Sequence, residues 1–450
     1  MGKTGTGKST LLKNLITQDI GAGASVVLID PHGDLAQEIL SCIPRSRSKD
    51  VVYFNPADLE HPIGLNLLSA TTRDTRHLVS SGVVSAFKQI WNDSWGPRLE
   101  YLLAASVSTL LECPGASLLA LPRLLTDPAY RRAMLRFVTD PVVRSFWETE
   151  YAQYEKRFRN EIIAPLQNKV GQLLLAAPLR NILGQVKSAI SIPFIMERGR
   201  IFIANLSKGL LGDDKSSLIG SLLITQFQLA ALAREVIPEK ARRDCFLYVD
   251  EFQNVATDAF CSILSEARKY RLNLTLSHQF TTQLRPQVRE AVFGNIGSIV
   301  AFRSGAADAE LLAREFGSVY PPDAFTELSN FEVLVKALVN GEAREPFRGR
   351  TLPASMSQNA TQRANLIRLS RERFGTNRAA IEDKIQRWLT HRSAKRRPVL
   401  RAQPVQQAKP VTAVRRTRRR VSATGLREVL AREHPHTTSA RGTEPTDVGG

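Results

Sequence analysis

The sequence predicts an α/β protein whose parallel sheet is interrupted by a wholly helical segment, and three features of the chain predict it. A glycine-rich opening runs straight into an amphipathic helix bearing Leu11, Leu12, Leu15 and Ile16, then into a continuous apolar run at 26–29. Runs that are apolar at every position suit strands buried on both faces, as in parallel sheets. From about residue 73 to 184 the apolar period becomes that of helices. Beyond 185, apolar runs and helical stretches alternate again, the rhythm of a parallel sheet covered on both sides.

The elements follow in order. The run at 26–29 ends in Asp30 and Pro31, and a second short run occupies 51–54. In the helical stretch, Val83, Val84, Phe87, Ile90 and Trp91 share one stripe, and Leu99, Leu102, Leu103, Val107, Leu110 and Leu111 another. Val142, Val143, Phe146, Trp147 and Tyr151 make a third. Strands are expected at 201–206, 245–249, 272–276 and 298–302, all completing one sheet, with helices at 216–234, 260–267 and 283–293. A hairpin at 331–347 turns at Asn340-Gly341, a dipeptide suited to two successive positive φ angles. Helices at 362–374 and 378–388 follow. The expected division is a split α/β domain at 1–72 and 185–350, an inserted all-α domain at 73–184, C-terminal helices at 351–391 and a disordered basic tail at 392–450. No internal repeat is present.

The chain of 450 residues carries a net charge of +18, from 61 basic and 43 acidic side chains. From His391 onward there are 14 basic and 4 acidic residues, so +10 of that charge falls in a stretch rich in proline and alanine without apolar period. Such a tail suits phosphate backbones without sequence preference, and equally a solvated end with no partner. No run reaches the roughly 18 uninterrupted apolar residues of a membrane helix, and Met1-Gly2-Lys3 does not open a signal peptide. The four cysteines lack metal-ligand or disulfide spacing, and no histidine pairs with cysteine or acid at ligand spacing. A cytoplasmic setting is expected.

The chemistry concentrates in two places. Gly2-Lys3-Thr4-Gly5-Thr6-Gly7-Lys8-Ser9 matches G-x-x-x-x-G-K-[ST] at every position, with Thr10 beside it. In such a loop the glycines turn backbone N–H groups toward phosphates, the lysine reaches the β- and γ-phosphates and the serine hydroxyl ligates Mg²⁺. The helix that begins near Lys8 adds its positive end. The loop therefore predicts ATP and Mg²⁺ as ligands. The complementary acidic pair is Asp250-Glu251, at the end of the run Phe246-Leu247-Tyr248-Val249. Asp250 is expected to hold Mg²⁺ and Glu251 to polarise the attacking water, which points to hydrolysis.

Other residues at strand ends admit two readings. Asp30 and His32 lie where ligands sit in open α/β sheets, near the nucleotide or a subunit boundary, but Asp30-Pro31-His32-Gly33-Asp34 also reads as a turn. Gln279 is a candidate γ-phosphate sensor or a solvated cap. Arg268 and Arg303, each at the end of a regular element, are candidate arginine fingers or ordinary surface arginines. The aromatic set Trp91, Trp95, Phe146, Trp147, Tyr151 and Tyr154 reads as core packing rather than a base-stacking platform.

This combination resembles the HerA–FtsK superfamily of DNA pumps, and most of all its TraD/TraG-type coupling ATPases of conjugation and type IV secretion. The resemblance covers most of 1–390. It rests on the glycine loop with Leu11-Leu12, on Val27-Leu28-Ile29-Asp30-Pro31-His32-Gly33-Asp34 and on Asn55-Pro56-Ala57-Asp58. It continues in Ile203-Ala204-Asn205-Leu206-Ser207-Lys208-Gly209, Tyr248-Val249-Asp250-Glu251-Phe252-Gln253 and Glu266-Ala267-Arg268-Lys269-Tyr270 ahead of Gln279. The resemblance implies a RecA-like motor with an all-α insertion, assembled as a hexamer around DNA, with type IV secretion or relaxosome partners. It favours Arg268 over Arg303 as the finger acting on a neighbouring subunit, and Gln279 as the sensor.

Two departures set an alternative beside this reading. Coupling proteins carry N-terminal membrane helices, and the glycine loop ordinarily follows a central strand; neither precedes Gly2 here. A longer form would add both, and with them contact with the inner membrane. The alternative is a truncated, catalytically weak nucleotide- and DNA-binding remnant. A kinase or transporter ATPase fits less well, since no L-S-G-G-Q-like signature occurs.

Overall fold

In the computed structural model the apolar runs become five parallel strands: β1 (Ser25–Asp30), β2 (Val51–Phe54), β3 (Ile201–Asn205), β4 (Cys245–Val249) and β5 (Leu272–Leu276). Their order is β2-β3-β1-β4-β5. Val27 of β1 pairs with Phe202 of β3 on one side and with Leu247 of β4 on the other. Every residue of β1, β2 and β3 is buried, as continuous apolar runs require when helices cover both faces. The structure describes residues 1–68, 73–257, 260–354 and 359–390, within one unit spanning Met1–Lys395. The tail expected at 392–450 lies outside the described residues.

The strand alternation sorts side chains to two cores. On one face Val26, Leu28 and Ile203 meet Leu12, Ile16 and Ile20 of α1 (Lys8–Gly21) and Ile39 of α2 (Asp34–Cys42), closed by Leu366. On the other, Val27, Ile29, Phe54, Phe202 and Leu247 join the larger core, which runs without a break into the helical segment. Two helices of that segment are α3 (Arg76–Ile90) and α4 (Pro97–Glu112). The helix Asp213–Leu232 packs on α3 where Gly82 meets Thr225; a Cβ at Gly82 would lie 2.2 Å from the Thr225 Cγ2. Residues 213–236 are long and apolar enough to cross a membrane, but most of that helix is buried in the protein.

The expectation that all later strands complete one sheet is corrected at β6 (Ile299–Ala301). It pairs antiparallel with β7 (Glu332–Lys336), which pairs with β10 (Phe347–Arg350), in a separate three-stranded sheet. The reason lies in the first residues of the chain, which run extended between β5 and β6. Met1 N donates to Val300 O at 2.7 Å, Phe302 N to Met1 O at 2.8 Å and Gly2 N to His278 O at 3.4 Å. The hairpin tip, β8 (Leu338–Val339) with β9 (Glu342–Ala343), turns at Asn340 and Gly341 as expected, both at positive φ.

Candidate nucleotide-binding site

Polar residues gather where β3, β1, β4 and β5 end side by side: Asn205, Asp30, Asp250-Glu251 and Ser277-His278-Gln279. The glycine loop leads into α1 at the same edge. Gly7 caps α1 at φ 116°, a conformation closed to most side chains, and a Cβ there would lie 2.8 Å from the Phe331 ring. Phe331 N also donates to Thr6 O at 2.8 Å, and Lys3 N to Arg303 O at 2.8 Å, so the loop is braced from the second sheet. Thr6 closes it from within, its hydroxyl donating to Lys3 O at 2.7 Å.

Lys8 is buried, and its Nζ donates to Gly2 O at 2.6 Å and Lys3 O at 3.0 Å. Burial lowers its pKa, while the fields of Glu251 and Asp250 oppose that shift. Ser9 is exposed and Thr10 half-buried at the start of α1. Asp250 and Glu251 are both buried. Burial raises the Asp250 pKa, and the carboxylates of Asp30 and Glu251 push the same way. Three carboxylates in one low-dielectric corner disfavour shared ionisation unless a cation balances them.

Glu251 ties the two halves of the site together. Its backbone adopts φ 44°, uncommon for a residue with a side chain. One carboxylate oxygen accepts from Gln279 Nε2 at 2.6 Å and the other from Gln253 Nε2 at 2.6 Å. Gln279 Oε1 in turn accepts from the Thr4 hydroxyl at 3.1 Å. A chain Thr4–Gln279–Glu251 therefore links the glycine loop to the acidic pair.

Other candidates sort by position. Asp30 is fully buried and accepts from His32 N at 2.9 Å and Ala36 N at 2.8 Å, so its carboxylate shapes the turn into α2, while His32 is exposed. Arg303 adjoins the loop and donates to Asn330 at 3.1 Å. Arg268 is exposed at the opposite end of β5 from Gln279 and is not brought to the loop within this chain. The sequence reading assigned no role to Gln253, to Phe331 or to His278. His278 is buried with no hydrogen-bond partner for either ring nitrogen among the described residues. Burial, with Met1 and Lys8 adding, pushes its pKa down to about 3. The expected core aromatics behave as such: Phe146, Trp147 and Tyr151 are buried, with Trp91, Trp95 and Tyr154 packed against them and their neighbours.

A glycine cradle opening a helix, a buried lysine under it and an Asp-Glu pair at a neighbouring strand tip define a P-loop ATPase of RecA-like α/β fold. Residues 1–227 match the family described as Helicase HerA, central domain, and the chain belongs to that family, within the HerA–FtsK superfamily. Solved structures agree on the fold. The chain resembles the conjugative coupling protein TrwBdeltaN70 in its unbound monoclinic form (TM-score 0.57, 17% identity, 80% of this chain and 84% of that one). It also resembles TrwB in complex with ADP and Mg²⁺ (0.56, 18%, 80% and 85%) and VirB4 of Thermoanaerobacter pseudethanolicus (0.52, 16%, 80% and 89%). No curated protein matches the chain by sequence.

Proposed function

We propose that this protein is an ATP-driven DNA translocase of the conjugation or type IV secretion class, working as a homo-oligomer, the hexamer that its resemblance implies. The observation that carries the proposal is the Thr4–Gln279–Glu251 chain, which places the loop and the acidic pair in one hydrogen-bonded unit. The residues fit ATP with Mg²⁺: the positive-φ glycines leave room for backbone N–H groups, and the buried carboxylates call for a cation. The fold shared with TrwB, whose complex with ADP and Mg²⁺ is known, supports the same ligands.

In this reading the residues from Gly2 to Thr10 cradle the phosphates, and Lys8 exchanges its loop carbonyls for phosphate oxygens. Ser9 and Asp250 would hold Mg²⁺, which would supply positive charge to offset that of the phosphates. Glu251 orients a water and takes its proton, held in place by Gln253 and Gln279. Gln279 reports the state of the loop through Thr4. Arg268, remote from the loop of its own chain, acts on the site of a neighbouring subunit. The helical stretch 73–184 forms an inserted module of the motor. The basic tail beyond 391 holds DNA backbones, and type IV secretion or relaxosome components are the wider partners. Such a motor would work in the cytoplasm, at the inner membrane.

The test is ATP turnover with and without DNA. Wild type is expected to hydrolyse ATP faster with DNA present, and Lys8→Ala to lose at least about 100-fold. Equal turnover by the two proteins leaves a nucleotide- and DNA-binding remnant instead of a motor.

A further inference from the structure

The short turn Ala267–Tyr270 leads the chain into β5 and contains Arg268. The Arg268 side chain is exposed and has no hydrogen-bond, ion-pair or ring partner among the described residues. The main chain around it is held in the opposite manner. Arg242 Nη1 donates to Lys269 O at 2.6 Å, and Arg234 Nη1 to Tyr270 O at 2.8 Å and Arg271 O at 3.4 Å. Both arginines are buried, Arg234 to 2% exposure. Arg234 is itself anchored by Glu197, which accepts from its Nε at 2.7 Å. Arg242 Nε donates to Arg234 O at 3.1 Å and Ile237 O at 2.9 Å, so one guanidinium bridges that segment to the turn. The Glu235 carboxylate accepts from the Tyr270 hydroxyl at 2.6 Å and from Lys269 Nζ at 3.1 Å. Arg271, at φ 55°, closes the turn by donating its N–H to Arg268 O at 3.1 Å.

The end of a helical turn leaves carbonyls without internal partners, and water or one basic side chain ordinarily answers them. Here two guanidiniums are withdrawn from water to do so, which is costly unless their hydrogen bonds are made. Arg234 and Glu235 come from the turn that ends the long helix Asp213–Leu232, and Arg242 from the lead into β4, so two separate segments converge on these few residues. Lys269, Tyr270 and Arg271 are gripped; the Arg268 side chain alone is left free. We infer that Arg234, Glu235 and Arg242 are positioning residues. They fix the main chain at 267–271 so that Arg268 meets a neighbouring subunit's nucleotide with only its own rotamers left to order. The inference rests on the reading of Arg268 as acting across the subunit boundary. A finger on a loose turn would have to order its backbone as well at each encounter, and a small misplacement of its charge would weaken its effect on the reacting phosphate. The planar fork of arginine suits the clamp because it holds carbonyls of two segments at once, which the point charge of lysine does not.

The test is a double-variant cycle on DNA-stimulated ATP turnover by the full chain, with kcat and KM measured separately. Arg268→Ala is expected to lower kcat by about 1000-fold. Arg242→Gln should lower kcat by between about tenfold and 100-fold and leave KM for ATP unchanged, since the glycine loop of its own chain is remote. Tyr270→Phe, which removes only the hydroxyl on Glu235, should give a smaller loss of the same kind. Placed on Arg268→Ala, neither change should lower kcat further, whereas a general loss of folding would carry over undiminished. Wild-type kcat in both Arg242→Gln and Tyr270→Phe, or the same fractional loss with and without Arg268, overturns the inference and leaves the finger standing. Wild-type kcat in Arg268→Ala removes the finger itself, and the clamp with it.

Discussion

The aromatic cluster of the helical segment and the polar edge of the sheet are both buried, and they are buried on different terms. In the cluster the polar atoms of the buried Trp147 and Tyr151 rings are answered. Trp147 Nε1 donates to Thr109 at 2.7 Å, Tyr151 hydroxyl to Leu125 O at 3.0 Å, and Arg131 lies 4.8 Å above the Tyr151 ring. At the sheet edge, Glu251 sits at φ 44°, Lys8 and three carboxylates share one corner, and His278 has no partner. Satisfied burial stabilises a fold; strained and unanswered burial marks a place where the chain is shaped for chemistry. The two regions should therefore fail in different ways when changed.

The widest separation is expected from Glu251→Gln, which removes the proton acceptor while keeping its size. Hydrolysis should fall about 1000-fold with nucleotide affinity little changed, measured by steady-state turnover beside fluorescent-nucleotide titration; a parallel loss of affinity would move Glu251 from chemistry to binding. Trp147→Ala is the mirror experiment. It should lower stability by about 3–5 kcal/mol through the cavity it leaves, read by denaturant unfolding, while the folded fraction binds nucleotide normally.

A smaller effect comes from pH. The folded His278 pKa of about 3 lies below its ordinary 6.5, so below that ordinary value the unfolded chain gains a proton that the folded chain refuses. Stability is then lost as pH falls from about 6.5 toward 3, and at pH 5 the loss amounts to about 2 kcal/mol. Unfolding of His278→Leu across pH 7 to 5 should show a slope weaker by that amount; identical slopes would mean that the ring is protonated in the folded protein. The smallest effect is expected from Gln279→Ala, about tenfold in turnover, with Thr4→Val producing a part of the same loss. Additive losses in the double variant would show that the two side chains do not act as one relay.

Much of this was legible in the chain. The runs ending in Asp30 and Val249 announce buried strands because nothing strongly polar interrupts them, whereas Leu272–Leu276 alternates with Asn273 and Thr275 and is only half-buried beyond Leu272; a parallel sheet places the three tips together. The loop was legible because its glycines follow from phosphate geometry rather than from tertiary context. The partner of β6 was not, since the residues at 298–302 look the same whether their neighbour is parallel or antiparallel. Nor was the bracing of Glu251 by Gln253 and Gln279, which depends on a left-handed backbone turn at a residue that ordinarily avoids one. Arg268 shows the limit from the other side: its place at the far end of β5 is plain, but a role across a subunit boundary is written in no single chain.

The meeting of Gly82 with Thr225 has a mechanical consequence. A methyl group from one helix occupies the place where the other helix lacks a side chain, so α3 and the long helix at 213–232 are seated like a key in its notch. Sliding either along the other would lift that methyl out of its seat, which opposes shear more than it opposes joint rotation.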